Sequence, residues 1–358
     1  MRIRRVLLRA CLPACVLSST TAFAGVTNPD ISLIGQVRSG WTDDASSIDK
    51  NRPTLGLGET ELAADAALNP YASGAFVLSF ADGAVDVEEA YIKLDQALPL
   101  GLALKAGRFR APLGKLNPTH PHALPFLDAP HILDPSSGLM PGSESYDEPA
   151  IELSELFPGV GSWAPMLSVA VQNGAGFRTG QDTNDLAPNF DAKKGQTSPS
   201  WLVHLSNAFL AGDAVEGDWG FSLAQGATNV EAGQNAWLAG TDFKLKYEVA
   251  PMSRVVWQSE AIWRHDDFQR RDRLGLVTFA DWTIERWNVG GLYEQLSDPD
   301  PATVVDRSVK AFAGFSLLEE TTMFRLAVER RWKGDVDPIH TVSAQLLFSM
   351  GPHKPHQF

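Results

Sequence analysis

The sequence predicts an all-β fold, an antiparallel transmembrane β-barrel of about sixteen strands, within a range of about 14–18. Three observations lead there. From Ala236 to Met350 nearly every stretch has an apolar residue at every second position. The stretches run about 9–13 residues, the length a tilted strand needs to cross a bilayer. The chain also opens with the features of a secretory signal. A period of two belongs to a strand and never to a helix. Thus Trp237, Ala239, Phe243, Leu245 and Tyr247 take one face, while Asp242, Lys244, Lys246 and Glu248 take the other.

The elements follow in order. Arg2, Arg4 and Arg5 head an apolar run from Val6 to Ser19, and Ala22-Phe23-Ala24 supplies small residues at a signal peptidase site. Residues 1–24 are read as a signal peptide and 25–358 as a single barrel domain. Leu12-Pro13-Ala14-Cys15 offers a rival reading as a lipoprotein box, which Pro13 and the short preceding run oppose. Of 30 basic residues, four Arg leave with the signal; the 26 that remain face 43 acidic ones, a net charge of −17. Such a chain is a poor nucleic-acid binder. Both cysteines, Cys11 and Cys15, also leave with the signal, so no disulfide stabilises the exported chain. No apolar run reaches the roughly 18 residues that a membrane helix needs.

Strand-like stretches are expected at 31–41, 57–68, 72–81, 86–95 and 101–109, with Asp82-Gly83 as a hairpin turn. Alternation then stops from Arg110 to Tyr146, a Pro- and His-rich run read as a loop folded into the lumen. It resumes at 147–156 and 165–173, breaks over the polar 174–199, and continues at 201–209, 217–226, 236–248, 254–265, 273–282, 285–295, 306–316, 321–332 and 340–350. Trp201, Trp219, Trp263, Trp282, Trp287 and Trp332 sit near stretch ends, as aromatic girdles at two lipid–water interfaces would.

A barrel of this size encloses a channel. The expected pore-lining residues are Lys105, Lys244, Lys246, Arg254, Glu260, Arg264, Lys310, Arg325, Glu329 and Arg331. Burying so many charges in a dry core would cost several kcal/mol per unpaired ion, whereas a wet channel tolerates them. Both signs occur, with basic groups in excess, so a mild anion preference follows. His120, His122 and His131 lie beside Asp128 and Asp134, and imidazole with carboxylate suits Zn2+. Zn2+ is the one candidate cofactor; no motif demands another. A second histidine pair, His353 and His356, sits in the tail.

The segment Leu104-Lys105-Ala106-Gly107-Arg108-Phe109-Arg110-Ala111-Pro112-Leu113-Gly114-Lys115 resembles the Gly-[Arg/Lys]-Phe-[Lys/Arg]-x-Pro-[Phe/Leu]-Gly element of the phosphate-selective porin (O and P type) superfamily. Val87-Glu88-Glu89-Ala90-Tyr91-Ile92 is similar to that group's acidic–acidic–Ala–aromatic strand. Asn117-Pro118-Thr119-His120-Pro121-His122-Ala123-Leu124-Pro125 resembles related porin-like exported proteins, some labelled metal-regulated or TonB-dependent. The resemblance implies a porin-like channel in the outer membrane, with lipid, small solutes or ions as partners and a homotrimer as the expected assembly. It also implies that the terminal Phe358 is read by the barrel-assembly machinery. The mixed lumen charges depart from the dense basic ladder of phosphate-selective members. A TonB-dependent receptor, with a plug and about 22 strands, would not fit in a chain of this length.

The expected function is passive diffusion of small hydrophilic solutes or ions across the outer membrane. The alternative is a metal-binding protein associated with Zn2+ uptake, soluble in the periplasm or set in the outer membrane. Enzymatic motifs such as Gly-x-Ser-x-Gly and His-Glu-x-x-His are missing, so no enzyme is expected.

Overall fold

The computed structural model describes residues 29–351 apart from 82, 96–97, 135–136, 138, 143–144, 179–197, 231–232, 268–269, 298–305, 318–320 and 335. The expected signal peptide, the tail histidines His353 and His356, and Phe358 lie outside the described residues.

Seventeen strand segments form one sheet. They are β1 (Asp30–Thr42), β2 (Thr54–Leu57), β3 (Thr60–Asn69), β4 (Ala72–Ala81), β5 (Ala84–Leu94) and β6 (Ala103–Arg110). After the irregular segment come β7 (Asp147–Leu156), β8 (Trp163–Gln172), β9 (Ser200–Ala211), β10 (Val215–Asn229) and β11 (Gln234–Ala250). The remainder are β12 (Ser253–Asp266), β13 (Arg271–Ile284), β14 (Trp287–Ser297), β15 (Asp306–Ser316), β16 (Thr322–Lys333) and β17 (Ile339–Met350).

From β3 onward each strand pairs antiparallel with the next in sequence, and β1 closes the sheet on β17 from Leu33↔Met350 to Thr42↔Thr341. The short β2 pairs with the upper part of β1 (Val37↔Leu57) and β3 with the lower part (Ile34↔Glu61). These two segments are therefore one stave interrupted at Gly58-Glu59, and seventeen segments make a closed antiparallel barrel of sixteen strands. Closure matters because an open edge leaves backbone groups unpaired, which lipid does not tolerate.

The alternation turns outward what lipid accepts. Ile151, Val171, Leu223, Trp257, Leu276, Val309, Leu326 and Val328 are exposed on the outside of the cylinder. The ten tryptophans divide evenly between the two ends: Trp41, Trp201, Trp237, Trp263 and Trp332 near one, Trp163, Trp219, Trp257, Trp282 and Trp287 near the other. An apolar band between two aromatic rims is the surface of a barrel that spans a membrane. One end carries short turns such as 251–252 and 285–286, and the other carries the long connections 111–146, 173–199 and 298–305. Short turns belong on the periplasmic side and long loops outside.

The lumen departs from a uniformly wet channel. Among the described residues the main apolar core lies inside the cylinder. Leu113, Leu116, Leu124, Phe126, Leu127, Ile132, Leu139 and Met140 of the irregular segment pack on Leu202, Leu238, Ile262, Val277, Phe279, Leu292 and Phe312 of the wall. The long-loop end thus sends 110–146 inward, and part of the inward face is apolar to receive it.

Candidate functional site

The strand β6 feeds the in-folded segment through Gly107, whose φ of +134° is one that side chains rarely adopt. A Cβ there would stand 2.1 Å from the Ala90 carbonyl oxygen, so only glycine lets β6 lie this close to β5. The segment then turns at Gly114 (φ +64°) against the Glu260 carboxylate. Glu260 Oε1 accepts the Lys115 N–H at 2.9 Å and the Leu116 N–H at 2.7 Å. Lys115 Nζ reaches Asp218 at 2.6 Å and Asp242 at 3.0 Å. Burial disfavours the Lys115 ammonium, but the two aspartates outweigh it and hold the group above the ordinary lysine value. Asn117 ties the segment's ends together, donating to the Ala111 carbonyl at 2.8 Å and accepting the Tyr146 N–H at 2.9 Å.

Farther along, Phe126 sits edge-on to Phe279 at 5.1 Å and tilted against Phe312 at 5.5 Å. Lys310 donates to the Asp128 carbonyl at 3.3 Å, and Arg325 Nη2 to the His122 carbonyl at 2.9 Å. Arg38 pairs with the Asp128 carboxylate.

Between this segment and the short-turn end lies a cavity of about 1090 Å³. Its wall includes Lys244, Lys246, Arg254, Arg286 and Arg325 together with Glu216, Asp218, Asp281 and Glu285, and Lys115, Thr119 and Ala123–Pro125 reach it from the segment. The ten expected pore-lining residues therefore divide. Lys244, Lys246, Arg254 and Arg325 line the cavity. Glu260 and Lys310 are committed to holding the segment. Glu329 and Arg331 contact His131, at 2.6 and 3.2 Å, and Arg264 is buried beside Asp266. Lys105 lies on β6 with its Nζ 3.9 Å from the Tyr91 ring centre and 4.2 Å from that of Phe109.

The segment also parts the three histidines. His131 Nε2 meets Glu329 at 2.6 Å and Glu294 at 3.8 Å. His120 and His122 go instead to a different part of the wall. His120 Nδ1 is 3.1 Å from Glu61 and 3.2 Å from Glu88, and His122 Nδ1 is 3.3 Å from Glu61. Asp128, an expected neighbour in a metal set, is occupied by Arg38. Burial works against an imidazolium at His120, but Glu61, Glu88 and Glu89 outweigh it and hold the ring well above the ordinary histidine value.

The sequence reading did not join these three acids to the histidines. The signal was present in the strand Val87–Ile92, where two successive acids break strict alternation. The register jumps from Val77↔Glu89 to Leu78↔Val87, so Glu88 is the extra residue of a bulge. The bulge lets both carboxylates approach His120.

No family model matches the chain. An uncharacterized protein of Aquifex aeolicus (strain VF5) is 25% identical over 266 residues, which are 67% of this chain and 54% of that protein. The chain spans about half the length of this curated relative. Solved structures give a fuller likeness. The anion-selective porin of Comamonas acidovorans superposes with a TM-score of 0.59 at 10% identity, over 90% of this chain and 100% of that one. OmpF of Salmonella typhi gives 0.58 at 10% identity over 91% and 98%. The outer membrane channel DcaP of Acinetobacter baumannii gives 0.57 at 10% identity over 90% and 98%. At such identities the shared property is the fold, and the fold of this chain is that of the outer-membrane porins.

Proposed function

We propose that this chain is a passive outer-membrane channel for small hydrophilic solutes or ions, with a mild preference for anions. The observation that carries the reading is the charged cavity inside a closed, lipid-compatible cylinder. Lys244, Lys246, Arg254, Arg286 and Arg325 give its wall more positive than negative charge, and such a field raises the local concentration of anions. The porin fold of the three solved structures supports the class of activity. They are described as a porin selective for anions, an OmpF complex with daunomycin and a channel, and none of these solutes is carried over to this chain.

The likeness of Leu104–Lys115 to phosphate-selective porins gains no support from a cavity of mixed charge, so a general pore is the better reading. A soluble metal-uptake protein would have to leave the apolar outer band in water. An enzymatic reading meets a different objection. Ser222 Oγ lies 2.8 Å from His204 Nδ1, near Asp242. Yet Ser222 is only 5% exposed and its hydroxyl accepts the Gly114 N–H, so it serves to dock the segment. A homotrimer belongs to the same proposal. OmpT of Vibrio cholerae, another solved structure of this fold, is described in a trimer form.

The test is conductance. Purified, folded protein in a planar bilayer should give steps of current, and a KCl gradient should give a reversal potential on the chloride side. Folded protein that inserts and never conducts overturns the proposal.

A further inference from the structure

We infer that Glu61, His120 and His122, with Glu88 beside them, form a binding site for one divalent cation of the Zn2+ class that staples the in-folded segment to the barrel wall. Geometry comes first. With bonds of about 2.0–2.1 Å to nitrogen and oxygen, the edge of a tetrahedron around Zn2+ is about 3.3–3.4 Å. The donor separations, 3.1 Å from Glu61 to His120, 3.2 Å from His120 to Glu88 and 3.3 Å from Glu61 to His122, lie close to that edge. All three principal donors are buried and lie within 4.8 Å of one another. The set is assembled from two directions: Pro121 spaces two imidazoles along the segment, while Glu61 comes from β3 and Glu88 from the bulge in β5. The His122 carbonyl is held by Arg325, which fixes the backbone that carries both rings.

Charge gives a second, independent reason. Glu59, Glu61, Glu88 and Glu89 converge on this place, and the fixed cations near them are Arg110 and Lys105. Glu61, Glu88 and Glu89 alone outnumber those two cations in a poorly hydrated spot, which is costly. A dication bound there supplies the missing positive charge. The donor types select among dications, because two imidazoles with carboxylate suit Zn2+ better than Ca2+ or Mg2+. The other mixed cluster, His131 with Glu294 and Glu329, offers one imidazole and already holds Arg331 and Lys310. It has no matching deficit of positive charge.

Zn2+ alone is the probe. The full-length protein, folded in detergent and stripped with chelator, is titrated by calorimetry, and bound zinc is counted by elemental analysis. One Zn2+ per chain is expected, with affinity lowered about tenfold or more by Glu61→Gln and by the pair His120→Asn/His122→Asn. His131→Asn and the pair His353→Asn/His356→Asn should leave it unchanged. Heat-shifted gel mobility verifies that each variant is folded. Should the double variant not fold, zinc-edge X-ray absorption on the wild type reads the ligands directly, and two imidazoles per zinc are expected. The inference is overturned by folded wild type that retains no zinc, by affinity indifferent to Glu61 and His120/His122, by loss confined to His131 or the tail pair, or by a spectrum without imidazole.

Discussion

Replacing Phe126 by Ala should loosen the in-folded segment while leaving the barrel closed. Phe126 is fully buried and contacts Phe279 and Phe312 of the wall. A buried Phe→Ala change costs about 3–5 kcal/mol, and the aromatic pairs account for about 0.5–1.5 kcal/mol each of such a total. None of the strand pairings that close the sheet runs through this residue, so the loss falls on docking of 110–146. Each 1.4 kcal/mol is a factor of ten, so the undocked fraction should rise by about two to three and a half orders of magnitude. In single-channel recordings the variant should visit higher-conductance levels far more often. Protease added to folded protein should cut within 110–146 at a correspondingly greater rate. Phe221→Ala, on the lipid-facing surface at 53% exposure, is the control and should do neither. If Phe126→Ala folds, yet its current traces and protease resistance match the wild type, the segment is not held by its apolar anchor.

Other outcomes follow from the same structure. Lys244→Glu combined with Arg254→Glu reverses two charges of the cavity wall and should move the reversal potential toward cations; no movement would place the selective region elsewhere. Gly107→Ala puts a methyl group into the Ala90 carbonyl at a φ that alanine avoids, and should sharply lower the yield of folded barrel on unheated gels. Leu276→Arg plants a charge on the lipid face, and urea unfolding from vesicles should show a loss of about 2–4 kcal/mol. Thr278, on the same outward face, accepts a hydrogen bond from the Trp257 indole and shares one with Ser259, so Thr278→Val should lower stability by about 1 kcal/mol in the same assay.

The staves were legible because strand periodicity is local. The stretches 72–81, 147–156 and 306–316 match β4, β7 and β15 to the residue. The stretch 57–68 hid an interruption, because the break at Gly58-Glu59 depends on how two segments share β1. What fills the lumen was less legible. Leu238, Ile262, Leu292 and Phe312 read along the chain as lapses in an otherwise polar face, and acquire meaning only when the segment lies against them. Likewise His122 and His131 are near neighbours in sequence, but the chain carries them to different walls, His122 to Glu61 and His131 to Glu329. No spacing rule along the chain encodes that parting.

The way the segment is held also imposes a timetable. Its partners fall into two classes by sequence distance. Glu61, Glu88 and Glu89 precede it by a few tens of residues, on staves already synthesised when it emerges. Glu260, Phe279, Lys310 and Arg325 follow it by well over a hundred. Contacts between distant parts of a chain form late, because long loops must close first. The histidines can therefore engage their acids while the cylinder is still an open ribbon, and the aromatic and carbonyl contacts wait until β12–β16 have curled round. A segment tethered early enters the lumen as the walls come together, instead of having to thread a finished tube.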